Sequence, residues 1–160
     1  MTGHLVLSTL HAKGAPDTIT RLVEMDCPPH LVAGAVSLIL GQRLVRRLCQ
    51  SCKEPYQYGA SLRTHLERSR ILNMESSASL SRERGCAECA GTGWRGRVAI
   101  LEAMKVTPAI REAIISGSSS DRLYELAKLE DTIITYGSYS AFLLREGLTT
   151  PNEVLRHFGG

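Results

Sequence analysis

Two short cysteine pairs limit this chain more than any other feature: Cys49-Gln-Ser-Cys52 and Cys86-Ala-Glu-Cys89, a C-x2-C…C-x2-C pattern. Two residues between cysteines let both sulfurs of a tight turn face one ion. Two such turns supply four thiolates, the donor set of a tetrahedral zinc site with Zn–S bonds of about 2.3 Å. Such a fold must bring residues 49–52 against 86–89 and leave the residues between them as a loop tied at its base. That loop is longer than in the commonest zinc ribbons. Gly85, Ala87, Ala90 and Gly91 ease the turns around the second pair. The alternatives are disulfides or ordinary buried thiols. The chain shows no basic start, apolar stretch and cleavage site of a signal peptide, so a cytosolic compartment is expected. Thiols stay reduced there, which favours metal. Four protein ligands close the site, so its role is expected to be structural. The fifth cysteine, Cys27, stands beside Pro28-Pro29 and reads as a buried thiol.

The patterning on either side of the cysteines is mixed α/β. Leu5–Leu10 is apolar at nearly every position, as a strand covered on both faces would be. Pro16 suits the first turn of a helix, which carries Ile19, Leu22 and Val23 on one face and ends near Asp26. A second helix is expected from Pro29 to Leu40, stopped by Gly41. Residues 42–48, QRLVRRL, alternate as a strand, with Leu44 and Leu48 on the face opposite Arg43, Val45 and Arg47. Residues 61–85 are rich in Ser, Arg and Glu and read as a partly helical, mobile surface excursion hanging outside the core. Glycine turns at 91, 93 and 96 lead into a strand over Val98–Met104. Four helices should follow: from Thr107-Pro108 to Gly117, from Ser120 or Asp121, over about 139–146, and from Thr150-Pro151-Asn152-Glu153. The last of these has the form of a capping box with proline at the first helical position. The order is strand, two helices, strand, cysteine-rich insert, strand, four helices.

Composition excludes several function classes. The net charge of +3 is too small to argue for nucleic acid or a membrane surface, and aromatic residues, which would stack bases, make up only 5% of the 160 residues. No apolar run approaches the ~18 residues of a membrane span. Among the polar residues, Ser8, Thr9 and His11 gather at the carboxyl end of the Leu5–Leu10 stretch, with His4 at its start. In open parallel sheets the carboxyl edge is where ligands bind, and imidazole and hydroxyl groups there can donate to a phosphate. Arg95 and Arg97, two apart in an extended segment, can grip phosphates or carboxylates in bidentate fashion. A solvated charged edge has the same spacing.

The ordered set TGHLVLSTLH, RLVEM, QRLVRRLC, the two CxxC pairs, GTGWRGRVAILE and EGLTTPNEVLR resembles the bacterial ATPases that power type II secretion, type IV pilus assembly and DNA-uptake pseudopili. The resemblance covers nearly the whole chain apart from 61–85. It implies the C-terminal part of a RecA-like P-loop ATPase core with a tetracysteine zinc-binding insert and an α-helical C-terminal subdomain. The implied division is core residues 1–48, metal-binding subdomain 49–90, and returning core strand with helical subdomain 91–160. The glycine-lysine loop G-x-x-x-x-G-K-[ST] does not occur in the 160 residues, and no strand matches the one bearing the Walker B acids. The chain is therefore expected to be inactive alone, the rear of a motor whose P-loop and Walker B segments precede it. In that case Leu5–Leu10 is a central strand separated from its neighbours.

The resemblance also implies roles. Residues 2–11 match the family's histidine box, so His4, Ser8, Thr9 and His11 would lie near the nucleotide's terminal phosphate. Cys49, Cys52, Cys86 and Cys89 would hold zinc. Arg95 and Arg97 match an aromatic-R-G-R turn, with Trp94 where tyrosine is usual, and would face phosphate or an interface. His11-Ala12-Lys13 stands where His-Thr-Asn is frequent, which replaces a hydroxyl and an amide with a cation. The implied parent binds ATP and Mg, forms a homohexamer, and acts in the cytoplasm, peripheral at the inner membrane, on a membrane platform protein. Nucleic acid is not an implied partner. The alternative reading is a free-standing zinc-stabilised module that binds protein or nucleic acid.

Overall fold

The computed structural model describes residues 3–69, 71 and 80–158, except for the side chain of Phe158. Seven α-helices and five strands are found among these residues, a mixed α/β chain. Two compact units are formed, each from two separated stretches: Met1–Gly41 with Ala103–Ile133, and Gln42–Glu102 with Ile134–Gly160.

The first unit holds α1 (Ala15–Glu24), α2 (Pro29–Ala35), α4 (Pro108–Ile115) and α5 (Ser120–Leu129). Pro16 and Pro29 open their helices where a missing N–H costs nothing. Thr107 Oγ1 accepts the Ile110 N–H at 3.3 Å and donates to Glu130 at 2.6 Å, while Ser119, one residue before the expected cap, accepts from Arg122 N–H at 3.3 Å. Ile19, Val32, Ile110, Ile114 and Leu123 form its aliphatic core.

Residues 3–12 take no regular structure, and Leu5, Val6 and Leu7 are 85%, 78% and 88% exposed. The strand expected over Leu5–Leu10 is therefore not formed. A strand needs the N–H and C=O groups of a neighbour, and the larger sheet has the order β1-β4-β5, without this segment. Thr2, the first residue of the expected histidine box, lies outside the described residues, as does Met1.

The expected helix over 29–40 ends at Ala35 instead, and β1 begins at Leu38 and runs to Leu48, with Gly41 inside it. Val36 is already extended, and the Ser37 carbonyl accepts the Val106 N–H at 3.0 Å. The β-branched Val36 and Ile39 favour this. Burial along β1 is also opposite to expectation at its centre: Val45 is buried and Leu44 exposed, while Leu48 is buried as expected. Leu44 and Val45 lie on opposite faces because side chains alternate along a strand.

The second unit contains the whole 49–90 insert and residues 134–160. β2 (Glu54–Tyr56) pairs antiparallel with β3 (Leu80–Arg82), Pro55 opposite Ser81. Between them lies α3 (Ala60–Arg68); residues 70 and 72–79 of the expected excursion are outside the described residues. β4 runs Trp94–Lys105, four residues earlier than expected, with Gly96 inside it at φ +74°. β5 is Ile133–Ile134, and α6 (Tyr136–Arg145) and α7 (Pro151–Phe158) complete the fold. The start of α6 is set by Thr135, whose Oγ1 accepts Ser138 N–H at 3.1 Å while Ser138 Oγ accepts Thr135 N–H at 3.1 Å.

The insert does not hang outside. Leu66, Ile71 and Leu80 are 0%, 2% and 4% exposed and pack in one core with Val45, Ile100 and Val154. Each buried aliphatic of this size is worth roughly 1.5–3 kcal/mol, which favours folding this otherwise polar stretch inward.

At α7 the expected capping box is half made. Thr150 Oγ1 accepts the Glu153 N–H at 3.4 Å, but the Glu153 carboxylate turns to β1. It accepts Arg46 N–H at 3.2 Å and Arg46 Nη2 at 2.5 Å, and also Arg156 Nη1 at 2.7 Å. The arginine hydrogen bond holds the Glu153 carboxyl below its ordinary range despite burial, and Arg46 is in turn stacked 4.3 Å over Trp94.

Candidate metal centre

Cys49 closes β1, and the next residues turn at once: Cys52 N–H and Lys53 N–H both donate to the Cys49 carbonyl, at 3.3 and 2.9 Å. The second turn is a 3₁₀ segment over Ala87–Cys89. Cys86 N–H donates to Cys89 Sγ at 3.2 Å and Gly93 N–H to the same sulfur at 3.1 Å. Two glycines make this turn possible. Gly85 has φ +101° and a Cβ there would lie 2.5 Å from the Gly91 oxygen; Gly93 has φ +76° and a Cβ would lie 2.5 Å from Glu83 Cβ. Both are positions only glycine fits without displacement.

The four sulfurs meet. All lie within 4.8 Å of one another, with Cys49–Cys86 at 3.9 Å and Cys52–Cys89 and Cys86–Cys89 at 3.8 Å. A covalent S–S bond is about 2.05 Å, so these are free thiols and not disulfides. A regular tetrahedron with Zn–S bonds of about 2.3 Å has edges of about 3.8 Å. Number, softness and spacing of the donors thus fit a zinc-like ion, which the cluster could hold as a closed four-sulfur site. Backbone N–H donors at Cys89 favour its thiolate, that of Cys86 first, and draw it down to about 6. Burial pushes the Cys52 thiol up to about 12, and hydrogen bonds with the other cysteines add to this. Closing the site around a cation therefore means displacing protons from such thiols, and metal affinity rises with pH.

Around the sulfurs the non-ligand residues of the turns also pair. Ser51 Oγ donates to Glu88 at 2.7 Å, and Arg95 Nη1 reaches the same carboxylate oxygen at 3.2 Å. The Ser51–Glu88 bond thus joins the two turns and Arg95 braces its carboxylate, a contact the two-residue spacing of Arg95 from Arg97 does not reveal. Arg97 is exposed on β4, and its side chain has no hydrogen bond or ion pair among the described residues. His4, Ser8, Thr9 and His11 are all exposed in the irregular N-terminal segment of the first unit, and none has a hydrogen-bond or ion-pair partner among the described residues. Cys27 packs half-buried against the core of the first unit.

Fold and site together define an α/β protein with a four-cysteine cluster between two turns of its second unit. Comparison with known proteins places that class: residues 1–156 match the family described as type II/IV secretion system protein, and the chain belongs to it. Type II secretion system protein E of Pseudomonas aeruginosa is 40% identical over 158 residues, covering 98% of this chain and 30% of that protein. Type IV pilus assembly ATPase PilB of Thermus thermophilus is 38% identical over 161 residues, covering 97% of this chain and 17% of that protein. Type II secretion system ATPase E of Vibrio cholerae is 34% identical over 156 residues, covering 98% of this chain and 30% of that protein. The chain spans less than a third of the length of these relatives. Among the described residues no helix is long and apolar enough to cross a membrane.

Proposed function

We propose that this chain is the C-terminal portion of a hexameric ATPase that drives type II secretion or type IV pilus assembly. The observation that carries this reading is the family match over residues 1–156, with relatives of both kinds aligned across nearly the whole chain. In this reading residues 1–48 complete a RecA-like core whose P-loop lysine and magnesium ion, which carry the phosphate chemistry, belong to the preceding part of the protein. His4, Ser8, Thr9 and His11 would meet the terminal phosphate of bound ATP. Their exposure and lack of partners leave them available for that contact. Of the two arginines, Arg97 is the one whose guanidinium is uncommitted, and it would face phosphate or a neighbouring subunit. The four cysteines would hold zinc and keep the insert closed. The motor would act in the cytoplasm against a platform protein of the inner membrane.

Disrupting the coding segment in its cell should abolish surface pili or export of type II substrates, and a strain unchanged in both would overturn the reading. The isolated chain should hydrolyse no ATP above background. Measurable turnover would mean that it carries a phosphate site of its own. Nucleic-acid binding that weakens steeply with salt would favour a free-standing binding module instead.

A further inference from the structure

The first cysteine turn does more than present two sulfurs, because the residues inside and beside it grip the end of α6. Gln50, between the cysteines, donates from Nε2 to the Leu48 carbonyl at 3.0 Å and the Gly147 carbonyl at 3.3 Å. Lys53, directly after Cys52, places Nζ 3.0 Å from both the Glu146 and Gly147 carbonyls. Those carbonyls lie at the C-terminal end of a helix, where acceptors lack intrahelical partners and the helix dipole favours a cation. Gly147 turns the chain there at φ +61°, and a Cβ would lie 2.9 Å from Lys53 Nζ and 2.6 Å from Ser81 Oγ. One residue on, the Leu148 carbonyl accepts Leu48 N–H at 2.9 Å, next to Cys49. Thr149 Oγ1 then donates to the Arg46 carbonyl at 2.9 Å.

This corner between α6 and α7 therefore takes its polar partners from residues 46, 48, 50 and 53, which precede, interrupt or follow the first cysteine pair. Gln50 and Lys53 reach it from a turn in which the Cys52 and Lys53 N–H groups fold back on the Cys49 carbonyl. Among the described residues no disulfide ties that turn to the second one. A bound ion would, since metal-binding energy in such sites is folding energy.

We propose that metal binding at Cys49, Cys52, Cys86 and Cys89 is coupled to docking of the α6–α7 corner through Gln50 and Lys53, so that occupancy of the site sets the order of the C-terminal helix pair. The proposal rests on the reading of the cysteines as a zinc site. The test is residue-resolved amide hydrogen exchange on the 160-residue chain, reduced, with zinc and after chelation, preceded by metal analysis. Chelation should speed exchange at Gly147, Leu148 and Val154 by roughly tenfold or more, equivalent to ~1.4 kcal/mol. Lys53→Met leaves all four ligands in place. It should bind zinc with unchanged stoichiometry, show the loosened corner while loaded, and lose less on chelation than the unaltered chain. Equal protection of the corner with and without zinc overturns the proposal, as do additive effects of chelation and Lys53→Met. Should chelation unfold the whole second unit, zinc affinity in a chelator competition decides, because coupling is reciprocal: weaker zinc binding by Lys53→Met supports the coupling and equal affinity overturns it. A chain that takes up no zinc overturns the metal reading itself, and the metal analysis shows that before any exchange is measured.

Discussion

Replacing Glu153 with glutamine tests how much of the second unit's stability rests on one buried carboxylate. Its side chain is 6% exposed and accepts from two guanidinium groups and one backbone N–H, with Arg46 Nη2 at 2.5 Å, Arg156 Nη1 at 2.7 Å and Arg46 N–H at 3.2 Å. Hydrogen bonds to a charged group are each worth about 1.5–3 kcal/mol. The two arginine side chains are 45% and 65% exposed, and solvent screening brings pairs of that kind towards ~0.2–1 kcal/mol. The amide of Glu153→Gln keeps the shape and an acceptor for the backbone donor but loses the charge. The expected cost at pH 7 is therefore about 1–2 kcal/mol, after discounting the exposed guanidinium groups. Urea denaturation followed by Trp94 fluorescence measures it locally, because this single tryptophan stacks on Arg46.

The same substitution has a pH signature. The folded-state pKa of Glu153 is lowered, chiefly by the Arg46 hydrogen bond. A depressed carboxyl binds fewer protons folded than unfolded, so its contribution is complete above the unfolded value of about 4.3 and fades as pH falls through the lower folded value. The stability gap between the unaltered chain and Glu153→Gln should be constant near neutrality and close below about pH 4. Equal denaturation midpoints at pH 7, or a gap that widens on acidification, would refute the reasoning.

Gly93→Ala should lose roughly 1–2 kcal/mol to left-handed backbone strain alone and more to the clash with Glu83. It should also weaken metal retention in a chelator competition, because the Gly93 N–H donates to Cys89 Sγ. Leu66→Ala should cost about 2–5 kcal/mol in thermal or urea unfolding, the range for a large side chain deleted from a core. A residue on an excursion outside the core would change stability by less than about 0.5 kcal/mol.

The parts of this molecule legible in its sequence are those whose physics is local. Two cysteines three apart in a glycine-rich turn state their chemistry within four residues, and Thr107-Pro108 announces a capped helix in two. What depended on distant partners was hidden. Leu38-Ile39-Leu40 continues the apolar run of α2, and short apolar runs do not distinguish helix from strand; only the carbonyl of Ser37 meeting Val106 N–H decides it. Thr150-Pro151-Asn152-Glu153 reads as a capping box until Arg46 draws the carboxylate away. Leu66 and Ile71 look like stray apolar residues in a polar stretch, and only their burial with Leu80 shows the stretch to be part of the core. The Arg95–Glu88–Ser51 bridge follows from the second turn having met the first, a fact no spacing contains.

The four sulfurs are the point on which the account is most directly open to measurement. Zinc K-edge X-ray absorption on the freshly reduced chain, with metal quantified on the same sample, should find one zinc per molecule bound by four sulfurs at about 2.3 Å. A protein without bound metal, or a zinc shell dominated by nitrogen or oxygen, would contradict it.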